Sequence, residues 1–433
     1  MLKFPGAQAD ESVTKRASRP TNKSARENGP MTITLSHDQE AAVARIREWR
    51  HGDDQSFTLG GYAGTGKTTI IRAIIEGESN VVCATPTGKA AAVLGGKLNG
   101  LNVEVGTLHS LLYRPVEVTE EMVTAAEDER DALRAVGLDT TLVEKRIERL
   151  IKKLEEGSCE FGLRNDPEFK PLVIVDECSM VGDRIESDLR AIAGKILFVG
   201  DPGQLPPVEG TEFFERNRPD VVLETIHRQA ADSAILRMAH AVRNGERFDG
   251  WNETDCVIGD VGDLDLILSA DQVITGKNET RRRLNKLVRK ARGFSGKYPQ
   301  KGERLICLRN EHGRGLINGV GAVAASDCQL DEWMDLSMDV SYEDRLFRGL
   351  PIDPFAFECY ANPKLTRRDM PPTPDSQFDF GHCITVHKSQ GSEWDHVLVW
   401  DDKMRRHDRE ARKRWIYTAA TRAAKRLTWV SAG

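Results

Sequence analysis

No apolar run in the chain approaches the roughly 20 residues that a transmembrane helix needs, so nothing reads as a helical membrane span. Paired cysteines are missing too. Cys83, Cys159, Cys178, Cys256, Cys307, Cys328, Cys359 and Cys383 are scattered, with no C-x-x-C spacing. That argues against a disulfide framework and against a zinc site, and it suits a reducing compartment. Residues 1–33 lack hydrophobic periodicity and the apolar core of a secretory signal; rich in Ser, Thr, Asn, Lys and Arg, they read as a disordered basic tail. A transit peptide stays open there, as does a second start at Met31, directly before the first structured pattern. A positive balance is also lacking, since the formal net charge is −6. Charge alone therefore does not point to a nucleic-acid partner.

What is present is a 433-residue globular composition, 39% hydrophobic and 30% charged, long enough for two to four domains of roughly 100–200 residues. Basic residues are concentrated locally. Lys277 to Arg304 and Lys403 to Arg426 are basic segments, to be read either as part of a basic channel or as solvated helix faces.

The organising stretch is Gly61-Tyr62-Ala63-Gly64-Thr65-Gly66-Lys67-Thr68, which fits the phosphate-loop pattern at every fixed position. Phe57-Thr58-Leu59 before it reads as the end of a buried strand, and Thr69 to Ile75 after it as the apolar start of a helix. Glycines let backbone N–H groups curl around a phosphate, and the helix N-terminus adds partial positive charge. Lys67 is expected to reach the β- and γ-phosphates and the Thr68 hydroxyl to hold Mg²⁺.

Two further apolar strands end in acid or amide groups. Pro171 to Val175 delivers Asp176-Glu177, where Asp176 can organise Mg²⁺ and Glu177 can polarise an attacking water. Ile196 to Gly200 delivers Asp201-Pro202-Gly203-Gln204, with Gln204 placed to sense a γ-phosphate. Upstream, Ser36 and Gln39 open a helix as a capping box, and the alternative for Gln39 is the adenine edge of a nucleotide. Thr85, Thr87, Lys89, His109 and Ser110 lie in loops at strand carboxyl ends, where open α/β sheets place ligands; each alone reads sooner as a cap or surface residue than as a ligand.

Residues 114–170 interrupt the α/β rhythm with helical periodicity at Val143, Ile147, Leu150, Ile151 and Leu154, a second helix over Glu120 to Val136, and a hairpin strand at Glu160 to Arg164. Later, Ala230 to Gly245 reads as helix, and Leu264 to Leu268 and Val273 to Thr275 as strands. Residues 302–378 break the pattern again, with a hairpin signal at Asn318-Gly319 and a proline-rich return at Pro371 to Pro374. Trp394, Trp400, Trp415 and Trp429 read as core rather than as base-stacking residues.

In this order the motifs resemble those of a superfamily 1 helicase, closest to the RecD/Dda-like branch, from Leu35 to the C-terminus. Leu35 to Gln39 looks like the Q-motif, Gly61 to Thr68 motif I, Ala84 to Ala91 motif Ia and Thr107 to Leu112 motif Ib. Asp176 to Met180 is similar to motif II, Gly200 to Val208 to motif III and His227-Arg228-Gln229 to motif IV. Thr385 to Glu393 resembles motif V, and Tyr417 to Ala423 motif VI.

The resemblance implies an α/β fold of two RecA-like P-loop NTPase domains, residues 34–221 and 222–433. The first would carry a helical/hairpin, pin-like insertion at 114–170 and the second an SH3-like β insertion at 302–378. Lys67, Asp176, Glu177, Gln204, Arg228 and Arg422 would be catalytic. Gln39, Gly61, Gly64, Thr65, Gly66, Lys67, Thr68, Thr69, Gly391 and Glu393 would bind ATP, with Thr68 and Asp176 on Mg²⁺. Thr85, Pro86, His109, Asn278, Thr385 and His387 would follow single-stranded DNA. The implied function is ATP-dependent 5′ to 3′ translocation with unwinding at single/double-strand junctions; a DNA-stimulated ATPase that remodels protein–DNA complexes, or an NTP-dependent kinase or switch, are the rivals. A cytoplasmic monomer working with replication, repair or recombination proteins in a bacterial or phage-infected cell completes the expectation.

Overall fold

Runs of Val, Ile and Leu with no polar interruption dictate the centre of each half. In the computed structural model, residues 34–155, 157, 159–166, 168–206, 211–226, 233–246, 255–259, 263–311, 314–331, 335–342, 345–373, 375–402 and 408–431 are described. The architecture below is that of the unit Leu35–Gly433. The basic tail 1–33 with Met31, Pro207-Val208, His227-Arg228-Gln229, Pro374 and Lys403 to His407 lie outside the described residues.

In the first half, β1 (Ser56–Gly61), β2 (Val81–Thr85) and β3 (Glu104–Thr107) precede an insertion that begins with β4 (Tyr113–Glu117) and ends with β5 (Cys159–Leu163). β6 (Leu172–Val175), β7 (Lys195–Gly200) and β8 (Val221–Leu223) follow. The sheet order is β3-β2-β6-β7-β1-β8, with every neighbouring pair parallel. Alternate strand residues feed opposite layers. Leu172 and Ile174 of β6 pack with Val43, Ile46 and Ile70, while Val173 and Val175 pack with Leu108, Leu111 and Leu189. A sheet buried on both faces explains the unbroken apolar runs.

The insertion is an antiparallel β4–β5 hairpin, from Tyr113 opposite Leu163 to Glu117 opposite Cys159. Between its strands stand the helices Glu120–Ala135 and Thr141–Glu155. They close on a small core of their own, with Ala126, Val143, Ile147 and Leu150. Ile151, expected on the apolar face, is 40% exposed.

The second half holds a parallel sheet of order β17-β10-β18-β19-β9, built from β9 (Cys256–Gly259), β10 (Gln272–Thr275), β17 (Cys383–Thr385), β18 (Trp394–Asp401) and β19 (Ala423–Ser431). The helices Ala234–Arg243 and Arg409–Ala420 cover one face, and the helix Asn278–Ala291 the other. Leu264 to Leu268, expected as strand, is the helix Leu264–Ser269. Its start is set by Asp263, whose carboxylate accepts from the Leu266 N–H at 3.1 Å; a short apolar run carries no period, so the cap decides.

Between β10 and β17 the chain makes an antiparallel sheet from β11 (Arg304–Cys307), β12 (Gly321–Ala324), β13 (Gln329–Leu330), β14 (Leu336–Tyr342), β15 (Arg345–Ile352) and β16 (Phe378–Phe380). The order is β13-β14-β12-β11-β16, with β15 on β14. The basic helix Asn278–Ala291 is not a uniformly solvated face: Arg281 and Arg289 are buried and pair with Asp379 and Glu303. Trp400, Trp415 and Trp429 are core, and Trp394 is half-buried beneath the Lys89 ammonium. Among the described residues, no helix is long and apolar enough to cross a membrane.

Candidate functional site

β6, β7 and β1 are neighbours in one parallel sheet, so their carboxyl ends line up at a single edge. From that edge rise Asp176-Glu177, Asp201 to Gln204 and the phosphate loop.

The chain leaves β1 at Gly61 and turns through Gly64 and Gly66, at φ +80° and +78°, into the helix Lys67–Ile75. Only glycine holds such angles without strain. The Lys67 ammonium is folded into the loop, donating to the carbonyls of Gly61 at 2.7 Å and Tyr62 at 3.2 Å, with the Asp201 carboxylate at 4.0 Å. Thr65 Oγ1 donates to the Tyr62 carbonyl, and the Thr69 N–H to the Gly66 carbonyl. Gln39 does two jobs here. Its Oε1 accepts from the Ser36 N–H at 3.0 Å, as a capping box requires, and its Nε2 donates to the Thr65 carbonyl at 3.1 Å.

Asp176 stands half-buried just past the end of β6. Burial pushes its carboxyl up to about 6, the Glu177 charge adds to this, and the Lys67 charge opposes it. Glu177 is the only non-glycine residue at positive φ among the described residues, at φ 56° and ψ 39°. Its Oε2 is buried with no hydrogen-bond partner among the described residues, as is Gln204 Oε1. Buried acceptors without partners, in a cleft that Gly64, Gly66, Lys67 and Thr68 also line, fit a bound polyphosphate with its water.

The opposite wall comes from the second half of the chain. Gly391, Ser392, Glu393, Thr421 and Arg422 close a cleft of about 290 Å³ whose other wall includes Gly64, Gly66, Lys67, Thr68, Asp176, Glu177 and Gln204. Arg422 is buried and held by the Thr418 carbonyl at 3.0 Å, the Ser392 carbonyl at 3.2 Å and Thr421 Oγ1 at 3.1 Å. Gly391 packs so tightly that a Cβ there would lie 2.9 Å from the Ala90 Cβ of the first half. Arg228 lies outside the described residues.

Lys97, Asp201 and Tyr417 share this site without having been given a role in it. Asp201 carried the same signal as Asp176, an acid ending an apolar strand. It is fully buried, accepting from the Gly203 N–H at 2.8 Å and the Tyr417 hydroxyl at 2.7 Å. Tyr417 stood at the head of the motif VI resemblance without a role of its own, and Lys97 carried no signal, because what matters in each is the distant residue it meets at the cleft.

Of the residues assigned to a nucleic acid, Pro86 and His387 line a second interlobe cavity of about 210 Å³, and burial lowers the His387 pKa from its ordinary value. His109 lines a third cavity of about 670 Å³, with Tyr113, Arg114, Phe161 and Arg184. Asn310 borders both cavities. Thr85 does not present its side chain: it is fully buried and its hydroxyl donates to the Thr87 carbonyl at 2.7 Å. Thr385 is buried too, while Asn278 is exposed and lines neither cavity, its side-chain Oδ1 accepting from Arg281 Nε. Among the described residues no group of three or more His, Cys, Asp or Glu could hold a metal, so a cation here would need ligands from the nucleotide as well.

Two parallel sheets with a phosphate loop facing an arginine across a cleft define a P-loop NTPase of two RecA-like domains. Residues 34–256, just over half of the chain, match the AAA domain, and residues 380–430 match the UvrD-like helicase C-terminal domain; the chain belongs to the AAA domain family. It is 25% identical over 428 residues to the ATP-dependent RecD2 DNA helicase of Deinococcus radiodurans, covering 91% of this chain and 48% of that protein. An uncharacterized protein of Methanocaldococcus jannaschii is 24% identical over 479 residues, covering 90% and 37%. The chain thus spans about half or less of the length of these curated relatives. In fold it is similar to a Pif1 helicase structure concerned with DNA unwinding at forked double-stranded DNA, with TM-score 0.52, 19% identity and 92% of each chain covered.

Proposed function

We propose that the chain is an ATP-dependent motor that moves 5′ to 3′ along single-stranded DNA and separates strands at junctions. The single observation that carries this reading is the cleft in which Lys67, Asp176 and Glu177 face Gly391, Glu393 and Arg422 from the other domain. Lys67 neutralises the β- and γ-phosphates. Glu177 orients and polarises the attacking water, and Gln204 reports on the γ-phosphate. Arg422, with Arg228, supports charge developing in the transition state. Thr68 and Asp176 would hold Mg²⁺, which neutralises phosphate charge when bound. Because Arg422 stands on the opposite domain, closure depends on the nucleotide and hydrolysis releases it. Pro86, His109 and His387, on the cavities beside the cleft, are the groups proposed to follow the DNA strand, and the 25% identity to a RecD2 DNA helicase supports DNA as the track.

The test is ATP-dependent unwinding of two partial duplexes, one with a 5′ and one with a 3′ single-stranded tail. Opening of only the 5′-tailed duplex is expected. Opening of only the 3′-tailed one overturns the direction. If neither opens while single-stranded DNA still stimulates hydrolysis, a translocating or remodelling ATPase replaces the helicase.

A further inference from the structure

The second domain grips the phosphate loop at a position the loop's fixed pattern leaves variable. Both backbone polar groups of Ala63, in two successive peptides, are engaged by side chains from the second half of the chain. Its N–H donates to the Tyr417 hydroxyl at 2.7 Å, and its carbonyl accepts from His240 Nε2 at 3.2 Å. A carbonyl only accepts, so that ring nitrogen carries the hydrogen. On the preceding residue, the Arg243 guanidinium lies 3.6 Å from the Tyr62 ring centroid. The Tyr417 hydroxyl, having accepted from Ala63, donates to Asp201 at 2.7 Å, and the same Asp201 oxygen stands 4.0 Å from the Lys67 ammonium.

Tyr417 stands in the last turns of the helix Arg409–Ala420, and Arg422 follows two residues beyond its end. Any shift of that helix relative to the first domain moves Arg422 and pulls on Ala63 together. Loops that bind phosphate work through the orientation of their peptide N–H groups, and here one of those peptides is oriented from across the cleft.

We propose that Tyr417 and His240 are positioning residues that register the phosphate loop on the second domain, so that the reach of Lys67 and the approach of Arg422 are set by one movement. This rests on the nucleotide-cleft reading above. Tyr417 is wholly buried, so Tyr417→Phe keeps the ring and removes only the hydroxyl.

The measurement is DNA-stimulated ATP hydrolysis by the full chain and by Tyr417→Phe, His240→Gln and His240→Phe, with a melting curve for each. Misregistration harms the closed, reacting cleft more than ground-state binding. Tyr417→Phe and His240→Phe should therefore lose about tenfold or more in kcat with KM for ATP within about threefold of the parent. His240→Gln keeps an N–H donor and should recover most of the loss. A Tyr417→Phe protein with parental kcat, or with its loss confined to KM, overturns the inference. Equal losses in the two His240 variants do the same for His240, and that pair carries the test if Tyr417→Phe does not fold. A parent chain that hydrolyses no ATP with any DNA removes the cleft reading itself, whereas a DNA-stimulated parent matched by Tyr417→Phe removes only this inference.

Discussion

Glu177 holds a left-handed backbone that costs a residue with a Cβ on the order of 1–3 kcal/mol, and no turn requires a glycine there. What the conformation provides is direction, since the side chain lines the cleft beside Asp176 with its Oε2 buried and unpartnered among the described residues. Glu177→Gln should keep nucleotide and DNA binding while lowering steady-state turnover by roughly 10²–10⁴-fold. Turnover within about threefold of the parent would take the water-activating role from this residue. Lys89 supplies a pH-dependent counterpart. Burial, and then the nearby Arg422 charge, push its ammonium down to about 8 from 10.5, while its head lies 4.3 Å from the Trp394 ring centroid. The folded state thus holds this proton less well than the unfolded one. That penalty is fully present below pH of about 8 and fades as pH rises toward 10.5, where both states become neutral. Measured by chemical unfolding at matched pH, Lys89→Met should gain most on the parent near about pH 7 and lose that gain toward about pH 10. A difference that does not change with pH would mean that the amine keeps its ordinary value.

Among the elements, the helix Asn278–Ala291 shows how a basic sequence becomes an internal tie. Arg281, Asn285 and Arg289 recur every fourth residue beside Leu284 and Val288, which places them on the inner face. The Asn285 amide nitrogen donates toward the Tyr360 hydroxyl at 3.0 Å and the Cys383 carbonyl at 3.1 Å, and its oxygen accepts from the Cys383 N–H at 2.8 Å. One side chain thus joins the helix, β17 and the helix Phe355–Ala361. Asn285→Ala leaves several buried groups unpaired and should destabilise the second domain by about 3 kcal/mol, read from urea unfolding. A loss under about 1 kcal/mol would mean that water replaces the amide. In the sequence this segment read as part of a basic channel or as a solvated face. The partners were not legible, because Asp379, Glu303 and Tyr360 are distant in the chain and only the fold brings them to the helix.

At the scale of the whole molecule, the decisive contact is between the halves. Gly391 sits at φ +70°, and a Cβ there would also meet Ala90 across the cleft at 2.9 Å. Gly137 has a similar φ of +74° but nothing within 4 Å, so Gly137→Ala isolates the backbone cost alone. Gly391→Ala should therefore cut DNA-stimulated ATP turnover by about tenfold or more, and Gly137→Ala should leave it within about threefold, at comparable melting temperatures. Equal turnover in the two would show that the close approach does not matter for closure. By itself the sequence determined the first parallel sheet, through unbroken apolar runs that only a doubly covered sheet can bury, while the second came from the resemblance of the motifs. It determined the phosphate loop as well, because fixed glycines and a Lys-Thr pair are a local chemical requirement. It also marked the acids at the ends of β6 and β7, since a strand end is a property of its own run. Only the tertiary structure decided that Thr85 turns inward, that Arg281 and Arg289 pair within the domain, and that Tyr417 and His240 hold Ala63. Each of these depends on which distant segment arrives beside a residue, and local periodicity carries no information about that.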